Sequence, residues 1–215
     1  MRKNFIKSLL KESKTNKDTI LVVGDLGFSV VESFQKKYPK RFFNAGVAEQ
    51  NMAGMAAGLA SEGCHVFTYS IANFNTFRCA EQIRNDIDYH DLPVTVVTVG
   101  GGLAYGSMGY SHHALQDYSL MRSFPNMTIY SPGDSFELIE CMRHIFNEKK
   151  PSYLRLSKDD NKEIHKKNLT LSPGKWVKVS SKKKLSKKKK CILSTGAVLD
   201  DALKMQMSEY TDYDI

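Results

Sequence analysis

One carboxylate in this chain sits in unusual company. Within Phe43-Asn44-Ala45-Gly46-Val47-Ala48-Glu49-Gln50-Asn51-Met52, Glu49 follows a glycine turn and opens a helical stretch. Its next residues, Ala53, Gly54, Ala56, Ala57, Gly58 and Ala60, carry almost no side-chain bulk. An acid at a helix N-terminus complements the helix dipole by a few tenths of a kcal/mol to about 1 kcal/mol, so position alone does not make Glu49 chemical. The glycines change the weight, because each costs helix stability. A surface that smooth fits close packing against a neighbouring helix. The other reactive candidates are less directive. His112 and His113 are adjacent on one backbone and therefore point apart, which argues against a metal shared between them. The cysteines, Cys64, Cys79, Cys141 and Cys191, form no CxxC pair and have no histidine at ligand spacing, so reduced structural thiols are expected rather than disulfides or zinc.

The elements that must hold Glu49 read as an alternation. Apolar residues at helical spacing over 5–10 feed a buried strand over 19–23. Then follow a helix over 30–38, a strand over 41–44, the small-residue helix over 48–61 and a strand over 64–70. A helix over 73–89, a strand over 93–99, a helix over 115–123, a strand over 127–130, a helix over 135–147 and a strand over 152–156 complete the pattern. Strands apolar on both faces, alternating with helices, predict an α/β fold: a doubly wound, mostly parallel sheet. Ligands of such sheets sit beyond the carboxyl ends of the strands. The unusual residues fall there: Asp25-Leu26-Gly27, Gly46 to Glu49, Tyr69 to Phe74, and Gly100-Gly101-Gly102.

Three segments are expected. Residues 1–160 form this domain and 161–190 a basic linker. Residues 191–215 read as the beginning of an incomplete second α/β domain, with a strand and turn over 191–196 and a helix over 198–207. The 215 residues carry a net charge of +8, much of it between Lys158 and Lys190. No aromatic residue interrupts the lysines of 180–190 to stack on a base, so a solvated linker or hairpin is expected, and no nucleic-acid partner. No apolar run approaches the roughly 18 residues of a membrane span, and the first residues lack the apolar core of a signal peptide. A cytoplasmic protein with no membrane contact is expected.

The string from Arg41 to Ala60 resembles the signature of the pyrimidine-binding domain of transketolases and of the related deoxyxylulose-phosphate synthases. Further pieces agree in order and spacing: Gly24-Asp25-Leu26-Gly27-Phe28-Ser29, Arg78-Cys79-Ala80-Glu81-Gln82-Ile83-Arg84, Gly109-Tyr110-Ser111-His112-His113, and Phe124-Pro125-Asn126-Met127 leading to Ser131-Pro132-Gly133-Asp134. The resemblance covers residues 1–158 and, more weakly, the stretch from Cys191. It implies thiamine diphosphate as cofactor and transfer of a two-carbon ketol unit between sugars. By the resemblance, Glu49 hydrogen-bonds a ring nitrogen of the aminopyrimidine and shares a proton with it, which is general acid/base work on a cofactor that carries the electron sink. Phe74 matches the aromatic that stacks on the pyrimidine, although Ile71 replaces an aromatic common nearby and Phe77 offers another. Asp25 matches an aspartate near the cofactor. His112 matches a histidine that faces the reacting carbons and moves protons or binds substrate hydroxyls. Arg2 and Ser29 match residues that bind the substrate phosphate.

Two departures qualify the substrate. An active-site histidine of the family is Gly100 here, and the aspartate that reads a donor hydroxyl falls at Met108, so a modified or unphosphorylated sugar is expected in place of ordinary pentose phosphates. The family's Gly-Asp-Gly string for diphosphate and metal does not occur. The expectation is a split enzyme: a separate diphosphate-binding subunit holds the cofactor's diphosphate with Mg2+ or another divalent ion, and the chains self-associate, as a heterotetramer. Alternatives within the fold are a pyruvate condensation like that of deoxyxylulose-phosphate synthase and, further off, the β subunit of a 2-oxoacid dehydrogenase. A non-catalytic binding protein that has kept the fold is the alternative of another class.

Overall fold

The computed structural model describes residues 1–159, 162–180 and 190–215. Helix α1 (Arg2–Glu12) leads into β1 (Thr19–Val23), and α2 (Glu32–Lys37) into β2 (Phe42–Asn44). Helix α3 (Glu49–Ser61) and β3 (His65–Ile71) follow. The next helical stretch is broken into α4 (Phe74–Phe77), α5 (Ala80–Gln82) and a π-helical turn over Ile83–Asp88 before β4 (Val94–Val99). Helix α6 (Asp117–Arg122), β5 (Thr128–Tyr130), α7 (Ser135–Glu148) and β6 (Ser152–Leu156) complete the main body, and α8 (Leu199–Ser208) lies near the end.

The six strands form one sheet in the order β2-β1-β3-β4-β6-β5, with every pairing parallel. A parallel sheet must be covered on both faces, and the alternation within β1 shows how. Leu21 and Val23 face a core with Phe5 and Leu9 of α1, Phe34 of α2 and Ile145 and Phe146 of α7. Ile20 and Val22 face Met52, Ala53, Ala56, Ala57 and Ala60 of α3, with Ile83 and Met121 beyond. The register aligns the strand ends: Val23 lies beside Asn44 and Tyr69, Ile71 beside Val99, and Val99 beside Leu156. Strand order reverses at β1, whose neighbours are reached over opposite faces of the sheet, so a crevice is expected at its carboxyl end.

The alanines of α3 are thus the close contact with the sheet. Its glycines are not: a Cβ added at Gly54 or Gly58 would meet nothing within 4 Å. The helix expected over 73–89 is interrupted at Cys79, whose φ of −127° and ψ of 24° leave the helical region. Side chains there compete for the backbone, since Thr76 Oγ1 donates to the Ala72 carbonyl at 2.6 Å and Asn75 Nδ2 to that of Val97 at 2.9 Å.

Residues 162–180 are irregular but docked. Asp134 caps α7 through the amides of Phe136 and Glu137, and its other oxygen accepts from the amides of Ile164 and His165 and from His165 Nδ1. Burial alone would raise the Asp134 carboxyl, but these hydrogen bonds prevail and hold it well below the usual carboxylate range. The strand expected over 191–196 is not formed. Among the described residues, Cys191 makes a lone bridge to Asp214 and no ladder. Leu199, Ala202 and Ile215 pack with Ile164, Val179 and Ile192 as a small separate cluster. Most of the lysine run, residues 181–189, lies outside the described residues, whereas Lys190 pairs with Asp212 at 3.2 Å. Among the described residues, no helix is long and apolar enough to cross a membrane.

Candidate active site at the strand ends

Glu49 begins α3 at the crevice and is only 2% exposed. Burying a carboxylate without compensation is costly, and two groups from β3 and its following loop answer it. Ser70 Oγ lies 3.4 Å from Oε1, and Arg78 Nη1 donates to Oε2 at 3.1 Å. Arg78 sits at the break between α4 and α5, which lets it leave the helix direction and reach back. The same guanidinium lies over the Phe74 ring, with its central carbon 3.9 Å from the ring centroid. Beneath them the Cys79 thiol is pushed up to about 12, chiefly by burial and further by the Glu49 carboxylate, so it is an inert core group.

Phe74 also meets His112, with 4.9 Å between ring centroids and the planes at 64°. His112 arrives on the loop after β4, which Asn73 ties down by donating to the Ser111 carbonyl at 2.7 Å. Its Nδ1 is 3.0 Å from Ser111 Oγ. His113 turns away, with Nε2 3.0 Å from the Gly106 carbonyl, as adjacent side chains must. Glu49, Phe74 and His112 are therefore brought together in one row, with Arg78 between the first two.

Asp25 stands at the end of β1 with φ of +54°. That strained turn is held by Asn44, whose Oδ1 accepts from the amides of Asp25 and Gly46 and whose Nδ2 donates to Asp25 Oδ1 at 2.9 Å. Asn44 thereby fixes the loop after β1 against the turn that launches α3. Ser29, also at positive φ, donates its amide to Glu32 Oε1 at 2.6 Å, so its hydrogen bond stays within its own loop. Arg2, on the first turn of α1, lies near Tyr69 and Tyr105; burial raises both phenols and the arginine's charge partly offsets it.

Tyr105 explains the departure at position 100. Gly100 has φ of +74°, and a Cβ there would overlap the Tyr105 ring. The aromatic occupies the space that a side chain at position 100 would need, with its centroid 6.1 Å from that of His112. Lys158 Nζ lies 4.9 Å from the centroid of the same ring. A cavity of about 220 Å³ opens beside it, lined by Gly101, Ser131, Arg155, Ser157 and Lys158. Asp117 holds Arg155 there, accepting from Nε at 2.6 Å. Met108 is exposed in the same loop. A larger cavity, of about 660 Å³, lies elsewhere, between β5, α7 and the docked segment that includes Leu171 and Trp176.

The sequence does not single out Arg78, Asn44 or Tyr105 as site residues. Arg78 and Asn44 lie inside motif strings, but nothing local announces their partners. The loops after β1, β2 and β4 also hold exposed apolar side chains: Phe28 is 74% exposed, Val47 69% and Tyr110 75%.

The family “Transketolase, pyrimidine binding domain” matches residues 1–162. The chain belongs to the transketolase family. Among its relatives, one of the subunits of the apulose-4-phosphate transketolase of Phocaeicola vulgatus is 35% identical over 158 residues, 73% of this chain and 51% of the relative. The 6-deoxy-6-sulfo-D-fructose transketolase subunit SqwH of Clostridium sp. is 31% identical over 204 residues, 94% of this chain and 62% of the relative. This transketolase-family chain thus spans about half to three-fifths of the length of these two curated relatives. A solved structure described as “Split gene transketolase, inactive beta4 tetramer” superposes with a TM-score of 0.85 at 31% identity, covering 99% of this chain and 69% of that one. The parallel α/β sheet is the one these transketolases share.

Proposed function

We propose that this chain is the pyrimidine-binding subunit of a thiamine-diphosphate-dependent, transketolase-like enzyme that moves a two-carbon ketol unit between sugars. The observation that carries this reading is Glu49, a buried carboxylate at the strand ends with an aromatic face beside it. These side chains fit an aminopyrimidine, which needs a carboxyl able to share a proton with a ring nitrogen and a flat surface for its ring. When bound, thiamine diphosphate supplies the electron sink for carbon–carbon cleavage and transfer. Glu49 would share a proton with the ring nitrogen, donating it as the carboxylic acid and accepting the hydrogen bond once the ring carries the proton. Phe74 supports the ring, and Asp25, fixed by Asn44, shapes the β1 side of the crevice. His112, against the Phe74 edge, moves protons at substrate hydroxyls. Arg2 and Ser29 are the proposed contacts for a substrate phosphate.

The diphosphate and its divalent ion belong, on this reading, to a separate partner chain. The exposed Phe28, Val47 and Tyr110 on the loops that carry the site support a covering chain, since exposed apolar side chains of this kind mark interaction surfaces. The relatives described as subunits support it too, and a heterotetramer is the proposed assembly. Tyr105 over Gly100, together with Met108, supports a modified sugar as substrate, as do two relatives named for apulose 4-phosphate and a sulfo-sugar.

In the chain assembled with its partner, Glu49→Ala is expected to lower ketol transfer at least ~100-fold while the far-ultraviolet circular dichroism stays unchanged. Assaying pyruvate beside ketose donors separates this reading from a deoxyxylulose-phosphate-synthase-like condensation. Full ketol transfer in Glu49→Ala would sink it.

A further inference from the structure

Arg78 makes two contacts at once. Its guanidinium lies over Phe74 with the central carbon 3.9 Å from the ring centroid, and Nη1 reaches Glu49 Oε2 at 3.1 Å. A planar, nitrogen-rich ring that stacked on Phe74 and shared a proton with Glu49 would need those same two contacts. This holds if the assignment of Glu49 and Phe74 to an aminopyrimidine is right, and the inference rests on that assignment. Both occupants cannot use Glu49 Oε2 and this face of Phe74 together.

We propose that Arg78 is a displaceable stand-in for the aminopyrimidine, occupying its place in the unloaded subunit and swinging out when the cofactor enters. The arrangement answers a physical problem. An empty site would leave the Glu49 carboxylate buried without a counter-charge, which is far costlier than a buried charge that is paired. A guanidinium is suited to the task because it is planar, permanently charged and stacks on aromatic faces. It also has a way out. The Arg78 side chain is 45% exposed whereas that of Glu49 is 2% exposed, so the arginine can move to water while the carboxylate stays. Arg78 follows the short α4 and precedes Cys79, whose backbone departs from the helical region, so its direction is not locked by a continuous helix. Ser70 Oγ, near the other carboxylate oxygen, is undisturbed by the exchange.

The test is the affinity of thiamine diphosphate with magnesium for this chain assembled with its diphosphate-binding partner, measured by titration calorimetry, with the melting temperature of the chain alone as a second reading. Arg78→Ala is expected to bind the cofactor at least threefold more tightly, because nothing competes for Phe74 and Glu49. Its isolated subunit should melt at a lower temperature, and Glu49→Gln in the same background should restore the loss. Should Arg78→Ala not fold, Arg78→Lys keeps the charge but not the plane and is likewise expected to tighten binding. Unchanged or weaker binding in the folded Arg78 variants would overturn the proposal, and weaker binding would make Arg78 a cofactor contact instead. Glu49→Gln alone keeps the two failures apart. If it binds the cofactor as well as the parent, the assignment of Glu49 is wrong; if it binds more weakly while the Arg78 variants do not bind more tightly, only the stand-in is wrong.

Discussion

Gly100 shows how a single position can redirect a site. Its positive φ and the Tyr105 ring over it exclude a side chain there, so an aromatic from five residues further along the same loop fills that space. Gly100→Ala is therefore expected to destabilise the chain by about 1–3 kcal/mol, through backbone strain and displacement of Tyr105; a melting temperature equal to the parent's would contradict this. A second residue carries a pH dependence. His65 is buried between Phe67 and Phe146 with neither ring nitrogen hydrogen-bonded, while Lys149 and Asp18 act on it from outside. Burial first, and the Lys149 charge second, push it down to about 4, against the weaker pull of Asp18. The unfolded chain therefore takes up this proton first as pH falls. Stability that is present above pH 6.5 is lost progressively down to about pH 4, by roughly 3 kcal/mol from this group. His65→Phe, compared with the parent by urea unfolding across that window, should lose about that much less.

At the scale of elements, what was local was legible and what was long-range was not. The 3.6-residue and continuous apolar patterns placed every strand of the sheet to within about two residues, because burial on one or both faces imposes those patterns wherever the element sits. The strand read at 191–196 failed for the complementary reason: a strand exists only with a neighbour, and here Cys191 finds a lone bridge. The helix over 73–89 is broken because Thr76 bonds back to the Ala72 carbonyl and Asn75 answers to Val97 across the fold. Glu49 could be named from its motif, whereas the Arg78, Tyr105 and His165 partnerships span loops that no local pattern records. The smooth face of α3 also divides in two. Its alanines serve the sheet, and among the described residues a Cβ added at its glycines would meet nothing within 4 Å. Gly58→Ala should thus raise the stability of the isolated chain by about 1 kcal/mol, read as an increase in melting temperature. A decrease would mean that the glycine is needed for the helix itself.

At the scale of the molecule, the features fit half of a site. Exposed apolar side chains, Phe28, Val47 and Tyr110, sit on the loops that carry Glu49, Phe74 and His112 or flank them, and the 215 residues hold no Gly-Asp-Gly string for a diphosphate and its metal. Reconstitution with a chain that carries that string is expected to confer cofactor binding that neither chain shows alone. The proton chemistry assigned to Glu49 can then be observed before any sugar is added. In the assembled enzyme, exchange of the thiazolium C2 proton of bound thiamine diphosphate into deuterium oxide, followed by quenched-flow nuclear magnetic resonance, reports it directly. Glu49→Gln, at saturating cofactor, is expected to slow this exchange at least ~100-fold; exchange at the parental rate would rule out the proton role of Glu49.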